Sequence, residues 1–359
     1  MDGTALQDIS YAFLSILFEG APFIFVGTLV SGFIDAYLPS GKIEKWLPKK
    51  KPVAIMACGL LGAVLPVCEC AIVPVIRRLI QKGLPISCAV TYMLSAPIIN
   101  PIVVLSTWRA FSRWEEAGEN QALFVSCSRL LIAYIVTVSV GMIIMRLTPD
   151  RILKPSVVKG LARRGVGVTP EHEHEPEHEH EHEHEHEHEH EHEHGDEHGD
   201  EHGDEHGDEH GDGDAVPESE WKLVLAMRTS MRDFLDTAMY FTIGVLITAV
   251  FNTQVNQAAL GVFASNELLG VAAMMVMAFV LSLCSTSDAF IAATFATREV
   301  FGLAARLAFM VYGPMMDVKL IFMYSMVFRK RFVFVLAIGL FIIIGALCTI
   351  WVWAAFPGG

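Results

Sequence analysis

Eight apolar stretches punctuate the chain, at residues 9–34, 53–80, 84–108, 121–146, 232–251, 270–296, 303–328 and 332–356. A helix needs about 20 apolar residues to cross roughly 30 Å of hydrocarbon, and each stretch reaches or exceeds that length. Lipid offers the backbone no hydrogen-bond partner, so the stretches are predicted as α-helices. Trp46, Trp108, Trp114, Trp221, Trp351 and Trp353 fall at or just beyond stretch ends, where indole rings prefer the membrane interface. The first stretch lacks a basic leader and is longer than a signal-peptide core, which predicts a retained span. Four stretches lie on each side of one long polar segment. The pattern predicts an all-α polytopic membrane protein, divided into a first repeat at 1–146, a connecting loop at 147–221 and a second repeat at 222–359.

The halves share an order of motifs. The first carries Val67-Cys68-Glu69-Cys70 and then Ser95-Ala96-Pro97-Ile98-Ile99-Asn100. The second carries Leu283-Cys284-Ser285-Thr286-Ser287-Asp288 and then Tyr312-Gly313-Pro314-Met315-Met316-Asp317. Cysteine to proline is 29 residues in one half (68 to 97) and 30 in the other (284 to 314), and Asn100 and Asp317 each follow their proline by three. An ordered set of this kind points to internal duplication, a common feature of transporters.

Charge sets the expected topology. If all eight stretches cross, Lys and Arg outside the apolar cores divide 10 against 14. If the second and sixth dip in and return, one side collects 20 of them, from Lys42–Lys51, Arg77, Arg78, Lys82, Arg146–Arg232 and Arg329–Arg331. The other side then keeps only Arg109, Arg113, Arg298 and Arg306. The positive-inside rule selects the second arrangement. Each half then has three crossings and one re-entrant element, so the second half enters inverted. Both termini would face outward and the central loop would be cytoplasmic.

The second stretch reads Gly59-Leu60-Leu61-Gly62-Ala63-Val64-Leu65-Pro66-Val67-Cys68-Glu69-Cys70-Ala71-Ile72-Val73-Pro74. Two prolines behind two glycines predict a broken helix, since each proline removes a donor and clashes one turn back. On a straight helix Cys68 and Cys70 would point about 200° apart, whereas in extended backbone i and i+2 share a face. The break therefore lets both sulfurs meet one ion. Soft thiolates take Cu(I), zinc and similar ions; two suffice for near-linear Cu(I), and zinc wants about four ligands. Glu69, Asp288 and Asp317 lie inside apolar stretches, where carboxylates face a pathway or a partner. Cys284 and Asp288 are the second half's counterparts and join the candidate ion site. Pro97, Asn100, Pro314 and Asp317 are candidates for the pathway or for capping broken helices. Asp317 can pair with Lys319, and Glu19 with Arg129; Met93, Met315 and Met316 are either thioether stepping stones or core. The remaining cysteines, at 58, 88, 127 and 348, read as buried small hydrophobes.

Composition agrees and adds one anomaly. The chain is 53% hydrophobic and 18% charged, against about 45–50% and 25% for soluble domains, and its mean hydropathy is +0.44. The net charge of −14 resides in residues 171–214, which hold 22 acidic residues and all 15 histidines. The rest has 26 basic against 18 acidic residues. This excludes a soluble enzyme, a nucleic-acid binder and a secreted disulfide scaffold. The insert, with nothing apolar to bury, is expected to be disordered. Its histidines are His172, His174, His178, His180, His182, His184, His186, His188, His190, His192, His194, His198, His202, His206 and His210. Imidazoles beside carboxylates suit zinc and Cu(II), so the insert reads as a metal-gathering loop or as a solvated, repeat-expanded linker.

At Pro66-Val67-Cys68-Glu69-Cys70-Ala71-Ile72-Val73-Pro74 and Ser95-Ala96-Pro97-Ile98-Ile99-Asn100-Pro101 the chain resembles the bacterial predicted-permease family that includes organoarsenical efflux permeases and a copper/zinc branch with a His-rich central loop. The resemblance covers both membrane halves. It implies that Cys68 and Cys70 match the family's cysteine motif, with Pro97 and Asn100 in its second motif. Arsenical permeases typically carry a serine-rich Cys-Ser-Cys-Ser version; Glu69 and Ala71 replace those serines here and favour a cation. The expected function is secondary efflux of Cu(I) and/or Zn(II) across the inner (plasma) membrane. No cofactor is expected beyond the bound or transported metal, and an outer-envelope or periplasmic metal acceptor is the candidate partner. Efflux of trivalent arsenicals is one alternative; a membrane-anchored metal buffer or sensor that moves nothing is another. No G-x-x-x-x-G-K-[ST] loop is present to bind nucleotide phosphates. With no histidine in the membrane stretches, an intramembrane hydrolase ranks last.

Overall fold

The computed structural model describes residues 3–39, 43, 46–112, 119–155, 157–158, 218–254, 266–296 and 301–356. The His-rich segment 171–214, with its proposed metal ligands, and most of the connecting loop lie outside them. All eight apolar stretches are helical, and four of them are interrupted. The first half comprises α1 (Gly3–Tyr37), α2 (Lys51–Val64), α3 (Ile72–Gln81), α4 (Ile86–Ser95), α5 (Pro101–Ser112) and α6 (Glu119–Ile144). A single turn, α7 (Pro149–Ile152), follows. The second half repeats the order with α8 (Glu218–Gln254), α9 (Glu267–Leu281), α10 (Asp288–Ala296), α11 (Leu303–Met315), α12 (Val318–Val327) and α13 (Lys330–Ala355). With five helices among the described residues long and apolar enough to span a bilayer, this is a multi-pass membrane protein. Large apolar side chains stand exposed along α1, α8 and α13, the surface that lipid covers.

The interruptions have local causes. Pro66 forces Leu65 out of helical geometry, so α2 stops at Val64 and Leu65 sits at φ −116°, ψ 81°. Pro74 falls in the first turn of α3, where its missing N–H costs nothing. Between them the Cys68 carbonyl accepts from Ala71 N and Ile72 N, both at 3.1 Å. The second half makes the same turn: the Cys284 carbonyl accepts from Ser287 N and Asp288 N at 3.0 Å. Ser282 closes α9 in the left-handed region, φ 49°, a conformation that costs a non-glycine residue roughly 1–2 kcal/mol. The later breaks also match. Asn100 Oδ1 accepts from Ile102 N at 2.9 Å to start α5, and Asp317 Oδ1 accepts from Leu320 N at 2.7 Å to start α12. Asn100 and Asp317 therefore cap helices.

The two halves pack in parallel ways. Helix α2 packs on α4 as α9 does on α11, and α4 on α6 as α11 does on α13. Between halves, α3 meets α12 while α10 meets α5, and α1 meets α8. Such exchanged pairs are what a two-fold relation between halves produces. The first break also turns the chain back. A cavity of about 550 Å3 is lined both by Lys51, where α2 begins, and by Gly83, just past α3. The α2–α3 pair thus enters and leaves at one end of the bundle, as a re-entrant element. Pro97 and Pro314 are buried beside the second pair of breaks, and Met93, Met315 and Met316 are fully enclosed in the core.

Candidate functional site

The two cysteine turns meet at the interface between the halves. One small cavity, of about 10 Å3, is lined by Cys68, Glu69 and Cys70 of the first turn and Cys284 of the second. Lys319 of α12, Phe241 of α8, and Ile16, Glu19, Gly20 and Phe23 of α1 complete it. Such a volume holds about one water molecule or one ion, so the site is small. Cys70 is buried, Cys68 and Cys284 are partly buried, and all seven cysteines are free thiols. Helices α3 and α10 begin within four residues of these cysteines. Their N-termini bring partial positive charge toward the two turns.

Glu69 is the acidic centre of the cavity and is 1% exposed. Its Oε2 accepts from Ser285 Oγ at 3.2 Å. Ser285 follows Cys284 as Glu69 follows Cys68, so corresponding residues of the halves touch. Its Oε1 is buried with no hydrogen-bond partner and lies 3.7 Å from Lys319 Nζ. Lys319, 3% exposed, donates to the Ser282 carbonyl at 2.8 Å and lies 3.5 Å from Asp317 Oδ2. The left-handed turn at Ser282 thus aims a carbonyl at the one lysine lining the cavity.

Behind Glu69 stands a second charged pair. Arg129 of α6 binds Asp288 Oδ2 at 2.7 Å, the Ser285 carbonyl at 3.2 Å and Thr107 Oγ1 at 2.8 Å. Its partner is therefore Asp288, and Glu19 makes no ion pair or hydrogen bond among the described residues. Asp288 does not line the cavity; it anchors the arginine that holds Ser285. A third group ties the halves together at the end where Asp35 lies. Arg78 of α3 makes a two-pronged bond to Asp233 of α8, at 2.8 and 2.9 Å, and reaches Asp35 of α1 at 3.4 Å.

The structure thus gathers Cys68, Glu69, Cys70 and Cys284 on one cavity, places Asp288 behind it, and uses Asn100 and Asp317 as caps. Lys319 was visible in the sequence only as a partner for Asp317, although a lysine inside an apolar stretch is itself a signal. Nothing in the sequence marks the Ser282 carbonyl or the Ser285–Glu69 contact. Cys58 of α2 and Cys88 of α4 are buried, outside this cavity. Among the described residues, no three His, Cys, Asp or Glu side chains are grouped closely enough to share a metal ion. The sulfurs line a common space without forming a finished multidentate cage.

Residues 5–352 match the ArsP_1 family model, described as a predicted permease. The chain belongs to that predicted-permease family. It is 33% identical over 334 residues to the UPF0718 protein YcgR of Bacillus subtilis, covering 93% of each chain. It is 31% identical over 321 residues to a Streptococcus mutans protein named "Putative two-component membrane permease complex subunit", covering 89% of this chain and 87% of that one. No solved structure matches.

Proposed function

We propose that this permease is a secondary exporter of thiophilic metal ions, Cu(I) and/or Zn(II), moving them out of the cytosol across the inner membrane. The observation that carries the reading is the convergence of Cys68, Cys70, Cys284 and Glu69 on one small cavity built from the broken helices of both halves. Thiolates select soft ions, and Cu(I) needs only two of them. Zinc needs further ligands, which Glu69 and a rearranged Cys284 can supply. The buried, half-satisfied carboxylate of Glu69 offers counter-charge to a cation. Rocking of two inverted repeats would expose the cavity to alternate sides, with the Arg78–Asp233–Asp35 group as a contact that opens and closes. The His/Glu insert, on the cytoplasmic side in this reading, gathers metal for the site.

The test is metal accumulation in a copper- and zinc-sensitive bacterium carrying the wild type, the Cys68→Ser/Cys70→Ser chain, or a chain lacking 171–214. Expected is low cellular metal with the wild type, metal retained with the double variant at equal membrane levels, and an intermediate or normal result without the insert. Unchanged copper and zinc in every strain overturns the metal reading. A protein that binds metal yet shows no flux in vesicles is a buffer or sensor.

A second reading has its own support. Three thiols line the cavity, and trivalent arsenic takes two or three thiolates while carrying no net charge to be repelled by Lys319. Arsenical resistance exceeding copper or zinc resistance, and unaffected by loss of the insert, selects it.

A further inference from the structure

Lys319 stands between two carboxylates and satisfies neither. Its Nζ donates to the Ser282 carbonyl at 2.8 Å and lies 3.7 Å from Glu69 Oε1 and 3.5 Å from Asp317 Oδ2. Both of those oxygens are buried without a hydrogen-bond partner. An ammonium carries three donors, so two remain for two oxygens that stand beyond the usual N–H···O distance. The root of the side chain is clamped. A Cβ on Gly244 of α8 would lie 2.9 Å from the Lys319 Cα, so α8 packs directly on the lysine backbone and movement is left to the charged end.

The two carboxylates differ in place. Glu69 lines the thiol cavity together with Lys319, whereas Asp317 does not. The first half shows what the charge of Asp317 is not needed for. Asn100-Pro101-Ile102 stands there in the place of Asp317-Val318-Lys319, and Asn100 starts its helix at 2.9 Å with no charge. Capping needs only the bond from Leu320 N to Asp317 Oδ1; the negative charge serves Lys319. A buried ammonium without a carboxylate is costly, and Asp317 gives it a second seat away from Glu69.

We propose that Lys319 is a tethered cation that holds the cargo's place at Glu69. When a metal ion occupies the cavity beside Cys68, Cys70 and Cys284, the ammonium gives up Glu69 and turns to Asp317; when the ion leaves, it returns. The inference rests on the metal-export reading above and adds a specificity element to it. A cation must displace Lys319 from Glu69, whereas a neutral thiol-binding species need not.

The experiment uses the full-length protein in detergent, with Cu(I) titrated against a chromogenic Cu(I) chelator. The chains are the wild type, Lys319→Met, Asp317→Asn and Lys319→Met/Asp317→Asn, and Cys68→Ser/Cys70→Ser sets the background from other thiols. Expected for Lys319→Met is Cu(I) binding tighter by about tenfold or more. Asp317→Asn keeps the capping oxygen and should weaken Cu(I) binding, because Lys319 then stays on Glu69. The double variant removes one charge of each sign and should still bind more tightly than the wild type, so it decides the matter if Lys319→Met does not fold. Phenylarsine oxide, a neutral thiol ligand, should bind all of these cysteine-intact chains alike. Cu(I) affinity that is unchanged or weaker without Lys319, or that shifts the same way in Lys319→Met and Asp317→Asn, overturns the proposal. So does a parallel shift in phenylarsine oxide binding, which assigns Lys319 to the geometry of the thiols. Export is judged separately, by Cu(I) flux of the wild type in proteoliposomes. Opposed affinities without flux sink export and keep Lys319 as the competitor; flux with unopposed affinities does the reverse. A wild type that binds no Cu(I) above the double-cysteine background sinks both.

Discussion

Replacing Arg129 by methionine tests whether the two halves are held together from behind the site. The side chain is 2% exposed and makes bonds of 2.7, 2.8 and 3.2 Å to Asp288, Thr107 and the Ser285 carbonyl. Methionine keeps most of the aliphatic volume and removes the charge. The Asp288 carboxylate, whose Oδ1 already lacks a hydrogen-bond partner, is then buried without compensation. Removing one member of a buried ion pair costs about 3–5 kcal/mol, a factor of roughly 10^2 to 5 × 10^3 in the folding equilibrium. Removing both charges, in Arg129→Met/Asp288→Asn, should cost less than the sum of the single changes, with an interaction energy of about 1–3 kcal/mol. The measurement is denaturant unfolding in mixed micelles followed by tryptophan fluorescence, arranged as a double-mutant cycle. A single-variant loss below about 1 kcal/mol, or strict additivity, would refute the view that this pair locks α6 to α10.

Two other changes probe the breaks. Asp317→Asn keeps a capping oxygen, as Asn100 does in the first half, whereas Asp317→Ala removes the bond to Leu320 N; the alanine chain should be less stable than the asparagine chain by about 1 kcal/mol, and equal unfolding midpoints would dismiss the cap. Gly27→Ala places a Cβ 2.6–2.8 Å from the Ala71 backbone, so it should cost about 1–3 kcal/mol by overpacking and shift the neighbouring Cys70. Wild-type unfolding and unchanged Cu(I) stoichiometry in that variant would show that α1 does not brace the cysteine turn.

Sequence alone determined the membrane class, the eight apolar segments and the first break. Each follows from local chemistry: hydrocarbon excludes unpaired backbone, and Pro66 and Pro74 fall where α2 stops and α3 starts. The equivalence of Cys68 with Cys284 and of Asn100 with Asp317 was also legible, because duplicated turns keep their spacing. What only the tertiary structure decided is which charges meet. Arg129 is 159 residues from Asp288, Ser285 is 216 from Glu69, and Lys319 reaches Glu69 from α12. A buried charge takes whichever opposite charge the packing brings within reach, since the low-dielectric interior punishes any left alone. Periodicity and spacing describe one segment at a time. The pairing of Arg129 with Asp288 and the approach of Lys319 to Glu69 arise only when the two halves close on each other.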